Sequence, residues 1–358
     1  MKILDRYIIK SFLTTFFFIL GMLMVLAVII DLVEKMDDFV SITAPIGDIV
    51  FDYYLNFIFF YSNMFAGLIT FLAVIFFTSR LAQRTEIVAM LSGGVSFRRF
   101  FVPYFIAATF ITALSLWGNH FILPDANATR LEFEENYLRN AFQIKGKNHH
   151  REIEPGTIAY FENFYHDKNM GYRFSLEKWD GDSLYFKLLS NRAFYDTLNG
   201  SWRIEDYFIR EFVDGRSLIR NGTSMDTILP LEPGDLGQRV TYASSMDYYE
   251  LNDFITEKQR QGSDQVKHFL IEKHQRTATP FATYIFTLIG VSLASRKTRG
   301  GTGLHIFVGL MLTFIFIFAL RLTAVGATNA GLSPLLAVWI PNLIFLLIGL
   351  WIYRRAPK

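Results

Sequence analysis

Two stretches limit this chain more than any others: Tyr53 to Ser79 and Phe100 to Pro124 contain no Asp, Glu, Lys or Arg. Each exceeds the roughly 20 apolar residues that cross the hydrocarbon core of a bilayer. The chain is 51% hydrophobic and 16% aromatic, and it gathers its apolar residues into such runs instead of dispersing them around one soluble core. Six spans are expected, at about 11–33, 54–79, 100–123, 277–295, 304–321 and 334–353. The first imitates a signal peptide, with Lys2, Arg6 and Lys10 ahead of an apolar run. Its uncharged stretch from Ser11 to Ile30 is longer than a signal core, however, and no small-x-small cleavage site follows, so a retained span is expected. The absence of cysteine excludes disulfides and thiolate metal sites.

Flanking charges orient the spans. Lys2, Arg6 and Lys10 precede the first, and Glu34, Asp37, Asp38, Asp48 and Asp52 follow it against Lys35 alone. The connector from Arg80 to Arg99 carries Arg80, Arg84, Arg98 and Arg99 against Glu86. Arg296, Lys297 and Arg299 separate spans four and five, and Arg354, Arg355 and Lys358 end the chain. Every second connector is basic, which places both termini in the cytoplasm. In the basic connector Ala82–Ser92 is rich in helix formers and stops at Gly93-Gly94, so a short cytoplasmic helix over about 81–92 is expected between spans two and three.

Between spans three and four lies a hydrophilic insert of about 150 residues, on the far side of the membrane in this topology. Segments around Ile158–Phe164, Tyr172–Trp179, Leu184–Phe194, Trp202–Phe212 and Ser217–Ile219 are rich in aromatic and β-branched residues. Turn signals stand at Asp180-Gly181, Asn199-Gly200, Asp214-Gly215 and Asn221-Gly222. Short strands so spaced predict an antiparallel sandwich or roll. Helical stretches at Ala128–Ala141 and Asp247–Arg276 are expected to flank it. The fold class is thus an α-helical membrane protein with six spans and an extracytoplasmic antiparallel β domain inserted between spans three and four. Its divisions fall at 1–127, 128–270 and 271–358.

No catalytic or metal-binding pattern emerges. There is no G-x-x-x-x-G-K-[ST], and Gly300-Gly301-Thr302-Gly303 has no following lysine. H-E-x-x-H and G-x-S-x-G are also missing, and the adjacent His149 and His150 point apart on any regular element. Charges within or beside the apolar runs are few: Asp31, Glu34, Lys35 and Arg321, all near the outer interface, where they can snorkel. Glu86, the lone acid of the basic connector, either balances its arginines or pairs with a basic group on a soluble partner.

The opening LDRYI (Leu4–Ile8), the run LAQRTEIVAM (Leu81–Met90) with Gly93-Gly94, and the layout of three plus three spans around a β domain resemble the LptF/LptG permeases of lipopolysaccharide export, with the opening closer to the G type. The resemblance implies an ABC transporter permease that binds no cofactor itself, while a separate ATPase uses ATP and Mg. It implies a second permease of the family, a dimeric cytoplasmic ATPase of LptB type, a single-span accessory subunit of LptC type and a periplasmic bridge of LptA type. The insert becomes a β-jellyroll that passes lipopolysaccharide onward. The connector becomes a coupling helix in which Arg84, Thr85, Glu86, Gly93 and Gly94 meet the ATPase. Spans one and five become the cavity wall, with Phe16, Phe17, Phe18, Met22 and Met24 on one and Phe314, Phe316 and Phe318 on the other. Lys35 and Arg321 become candidates for the phosphorylated head group. The chain departs from the G-type pattern in placing Asp31, Glu34, Asp37 and Asp38 where basic residues are usual. Two rival readings are a membrane-anchored envelope scaffold and an ion-coupled transporter of another amphiphile, for which Asp31 is the plausible acid.

Overall fold

The computed structural model describes residues 3–41, 44–138, 149–165, 168–213, 216–236, 240–263, 265–296 and 301–356. Lys2, His166, the Asp214-Gly215 turn, Lys297, Arg299, Gly300 and Lys358 lie outside these residues, as do residues 139–141 of the first flanking helix. Helix α1 (Ile3–Glu34) is followed by α2 (Met36–Ser41), α3 (Ile46–Asp48), a π-helical run over Ile49–Leu55, α4 (Asn56–Met64) and α5 (Ala66–Gln83). Then come α6 (Glu86–Ser92), α7 (Phe97–Trp117), a π turn at Gly118–Ile122 and α8 (Leu123–Phe133). After the strands, α9 (Pro233–Leu236) and α10 (Tyr248–Arg260) lead to α11 (Val266–Ala294), α12 (Gly301–Asn329) and α13 (Pro334–Arg354). Among the described residues six helical segments are long and apolar enough to cross a membrane, one in each region where the composition places a span.

The chain divides into two compact units. The first comprises Met1–Glu134, Ser244–Tyr248 and Lys267–Lys358; the second comprises Glu135–Ala243 and Tyr249–Val266. In the first, α5 and α11 are central. Burial covers 72% of the most apolar window of α11 but only 11% of that of α1 and 22% of that of α12. Ile8, Phe12 and Phe16 of α1 pack with Ile69, Val74 and Phe77 of α5 and with Phe100 and Tyr104 of α7. Phe71 and Ile75, also on α5, pack instead with Phe286 of α11, Phe316 of α12 and Phe345 of α13.

Proline shapes α11 from within. Pro280 has no N–H, so the carbonyl four residues back, that of Arg276, loses its helical donor. In a membrane such a group must be satisfied by protein. The Asn119 amide donates to it at 2.8 Å, Asn63 donates to Asn119 at 2.6 Å, and the Ser115 hydroxyl donates to Asn63. One polar chain therefore joins α4, α7 and α11 at the point where the helix is cut.

The second unit holds β1 (His149–Glu154), β2 (Thr157–Tyr165), β3 (Met170–Asp180), β4 (Ser183–Asp196), β5 (Ser201–Val213) and β6 (Arg216–Thr227). They form one antiparallel sheet in simple sequence order. Glycines 181 and 200 take positive φ in the tight connections, as their turn signals require. Asn221-Gly222 is not a turn but lies inside β6 opposite Tyr207, whose ring fills the space a Cβ at 222 would need. Trp202, fully buried, packs against Phe161 and donates from its indole to the Leu231 carbonyl at 2.7 Å.

A crease crosses the sheet. Between β2 and β3 the pairing passes from Phe161–Phe174 to Asn163–Tyr172, leaving out Glu162 and Arg173. The next three ladders likewise leave out Asn191, Asp206 and Thr223 in turn. Arg173 and Asp206 sit on this line with φ of 50° each, a left-handed conformation foreign to strands. The pleat is reset there. Phe174 and Leu176 are buried, but Tyr172, two residues before Phe174, is turned outward.

Candidate functional site

The connector resolves into three pieces. Leu81–Gln83 do not belong to the short helix; they form the last turn of α5, where Leu81 and Ala82 are buried. Arg84 closes α5 and is exposed, and Thr85 takes the left-handed conformation at φ 61°. This break frees α6 to start at Glu86 with its only buried side chain, Ile87, packed into the core. The helix ends in a Schellman arrangement: Val95 N–H donates to the Met90 carbonyl, Gly94 N–H to that of Leu91, and Gly94 has φ 85°. Gly93, with φ −76°, is the ordinary last residue before that turn.

Glu86 lies at the start of α6, where the helix dipole favours an acid, with about a third of its side chain exposed. Its carboxylate is 4.0 Å from the Arg84 guanidinium and accepts a hydrogen bond from the Tyr7 hydroxyl at 3.3 Å. Tyr7 belongs to the opening LDRYI run, and so does Asp5, whose buried carboxylate pairs with Arg99 at the start of α7, 2.7 Å away. The two sequence runs that looked separate are in contact. Sequence reasoning missed Asp5, Tyr7 and Arg99; the available signal was an acid standing alone in a basic N-terminal segment. Between α1, α5 and α6 lies a groove of about 400 Å³ lined by Tyr7, Lys10, Ser11, Thr14, Thr15, Phe77, Arg80, Leu81, Arg84 and Glu86.

The cavity-wall candidates separate by exposure. Phe18 (70% exposed), Met22, Phe314 (70%) and Phe318 stand on the outside of the chain, and Phe17 is partly so. Phe16, Met24 and Phe316 are buried in the helix packing and do not face the outside of the chain. Lys35 is not a free cation. It pairs with Asp31 at 2.9 Å and meets the Tyr53 hydroxyl, and Tyr53 in turn donates to Asp31 at 2.9 Å. Glu34, Asp37 and Asp38 remain exposed. Arg321 is exposed on α12 and has no ion-pair partner among the described residues. In the sheet, a concavity of about 770 Å³ over the crease is lined by Arg173, Lys187, Glu177 and Asp206 among others. Three of its charges are already used: Arg173 pairs with Glu162, and Lys187 with Glu177, both at 2.7 Å.

No curated protein matches this chain. Residues 6–355 match the model of one protein family, described as lipopolysaccharide export system permease LptF/LptG. With six spanning helices, a separate antiparallel β unit and a family match over nearly its whole length, the chain belongs to the LptF/LptG family: a multi-pass inner-membrane permease of lipopolysaccharide export, a transport component and not an enzyme.

Proposed function

We propose that this permease, of the LptG type, works in an ABC exporter whose ATPase is a separate cytoplasmic subunit, and that α6 is the element on which the ATPase acts. One observation carries this reading: the half-buried acid Glu86 is wired through Tyr7 to α1, while Asp5 and Arg99 tie α1 to α7. A push on α6 therefore reaches the starts of two spans at once. Both termini and the connector face the cytoplasm, in keeping with the basic flanks, and the β unit faces the periplasm. ATP and Mg bind the partner, and this chain holds no cofactor.

The cavity forms between two permeases of the family. Helices α1 and α12 are the least buried spans, and a second permease facing them encloses a space lined by Phe18, Met22, Phe314 and Phe318. Arg321 meets a phosphate of the lipid head group, with bidentate geometry available to its guanidinium. Lys35 is neutralised by Asp31 and contributes less, so the second permease supplies the remaining positive charge. The β unit hands the lipid to a bridge of LptA type, and a single-span subunit of LptC type joins the complex.

Co-purification from the native membrane, with ATPase activity assayed on the product, tests the reading. A soluble ATPase that accompanies the intact chain, and is lost or uncoupled in Glu86→Lys, supports it. An intact chain that brings down no ATPase, with Glu86→Lys behaving like the parent, overturns it.

A further inference from the structure

We infer that the groove between α1, α5 and α6 is a binding site for the phosphate head group of an anionic phospholipid. The groove presents three cations, Lys10, Arg80 and Arg84, against the single carboxylate of Glu86, with the hydroxyls of Ser11 and Thr14 on its wall, while that of Thr15 donates to the Ser11 carbonyl. Glu86 is engaged with Tyr7 and Arg84. Lys10 and Arg80 have no ion-pair partner among the described residues, and both are exposed. Basic residues at the ends of spans need no ligand as such; they hold a chain's orientation. What sets these apart is convergence: cations from α1 and from the end of α5, far apart in sequence, face one concavity with the Ser11 and Thr14 hydroxyls on its wall. That is the donor set a phosphate takes, with point charge from lysine, forked donors from arginine, and neutral O–H groups around them.

The surface beyond the groove identifies the phosphate as part of a lipid. Residues four apart share a helix face over a turn or two, and on α1 Lys10, Thr14 and Phe18 run from cation through hydroxyl to an exposed apolar side chain. Phe18 is 70% exposed. A phospholipid has the same profile along its length. Its phosphate enters the groove while its acyl chains lie beside Phe18 in the inner half of the membrane, leaving the outer half of the cavity, from Met22 onward, to the transported lipid. The assignment to the cytoplasmic leaflet rests on the orientation proposed above. The head group then lies beside Glu86, so lipid occupancy and ATPase contact are neighbours.

The test uses the full chain in nanodiscs containing phosphatidylglycerol and phosphatidylcholine, released into native mass spectrometry to count retained lipid. Phosphatidylglycerol is expected to be retained over phosphatidylcholine. The double variant Lys10→Ala/Arg80→Ala should weaken that retention by about tenfold or more. The charge-preserving Lys10→Arg/Arg80→Lys should keep it, which separates loss of charge from loss of fold. Equal retention by the parent and the double-alanine variant overturns the proposal, and all the more so if that variant also loses the ATPase, which would make the groove a protein contact. Displacement of phosphatidylglycerol by inorganic phosphate overturns it too, in favour of a free-anion site. Lipid retention is read without the ATPase, so a chain that brings down no ATPase but still holds the lipid fails the functional reading and not this one.

Discussion

At the residue scale, the contact of Tyr7 with Glu86 spans 79 positions and that of Asp5 with Arg99 spans 94. Neither could be read from local pattern, because a connector's periodicity shows where a helix forms and not what its acid touches. Tyr7→Phe keeps the ring beside Phe77 and removes only the donor to Glu86. It should cost under about 1 kcal/mol of stability, yet lower lipid-stimulated ATPase activity of the complex severalfold; unchanged activity would show that Tyr7 transmits nothing. Arg99→Ala should lower the Tm in detergent more than Asp5→Asn does, since it takes a counter-charge from a buried carboxylate whereas Asn has no charge to leave unmatched. Asp196 gives a pH signature. Hydrogen bonds from the Asn199 side chain and the Leu198 N–H hold its carboxyl below the usual range. A carboxylate depressed in the folded state stabilises above its unfolded pKa, and that contribution is lost as pH falls through the folded value. Asp196→Ala should therefore destabilise near neutral pH and make little difference in strong acid.

At the element scale, the spans were legible because the bilayer demands length and low charge, both visible in any run of residues. Five of the six strands were legible from aromatic and β-branched enrichment. β1 (His149–Glu154), reading HHREIE, was not, since its charged residues carry no strand signal. Asn221-Gly222 misled for the opposite reason: the same dipeptide that permits a turn also permits a close ring contact. The crease was invisible because two non-glycine residues in left-handed conformation leave no compositional trace. It does make a prediction that reverses the usual strand preference. Asp206→Gly should hold or raise the Tm, while Asp206→Val should cost on the order of 1–2 kcal/mol, because a β-branched side chain resists positive φ. If Val is the better tolerated of the two, Asp206 is not left-handed. In α11, Asn119→Leu should cost about 1–3 kcal/mol by leaving the Arg276 carbonyl without a donor.

At the scale of the whole molecule, two helices have little to pack on within one chain: α1 and α12. The candidate residues chosen for aromatic content fell on both sides of that boundary, Phe18 outside and Phe16 inside, because a nearly uniform apolar helix does not announce which face is free. The absence of native cysteine makes the pairing directly measurable. Cysteine placed at Met22 and at Phe318 should cross-link between permeases in the native membrane, whereas cysteine at the buried Phe16 should not; no cross-link at either exposed position would leave these faces to lipid alone. The clamp at the start of α1 also has a consequence for synthesis. The first helix emerges from the ribosome with Asp5 already in its lower end, but the guanidinium that neutralises it is not made until Arg99. Until then α1 packs on α5 and meets Glu86, both made earlier, and its tie to α7 is the last of these contacts to form. A stall or truncation before that point leaves α1 packed on α5 without its tie to α7.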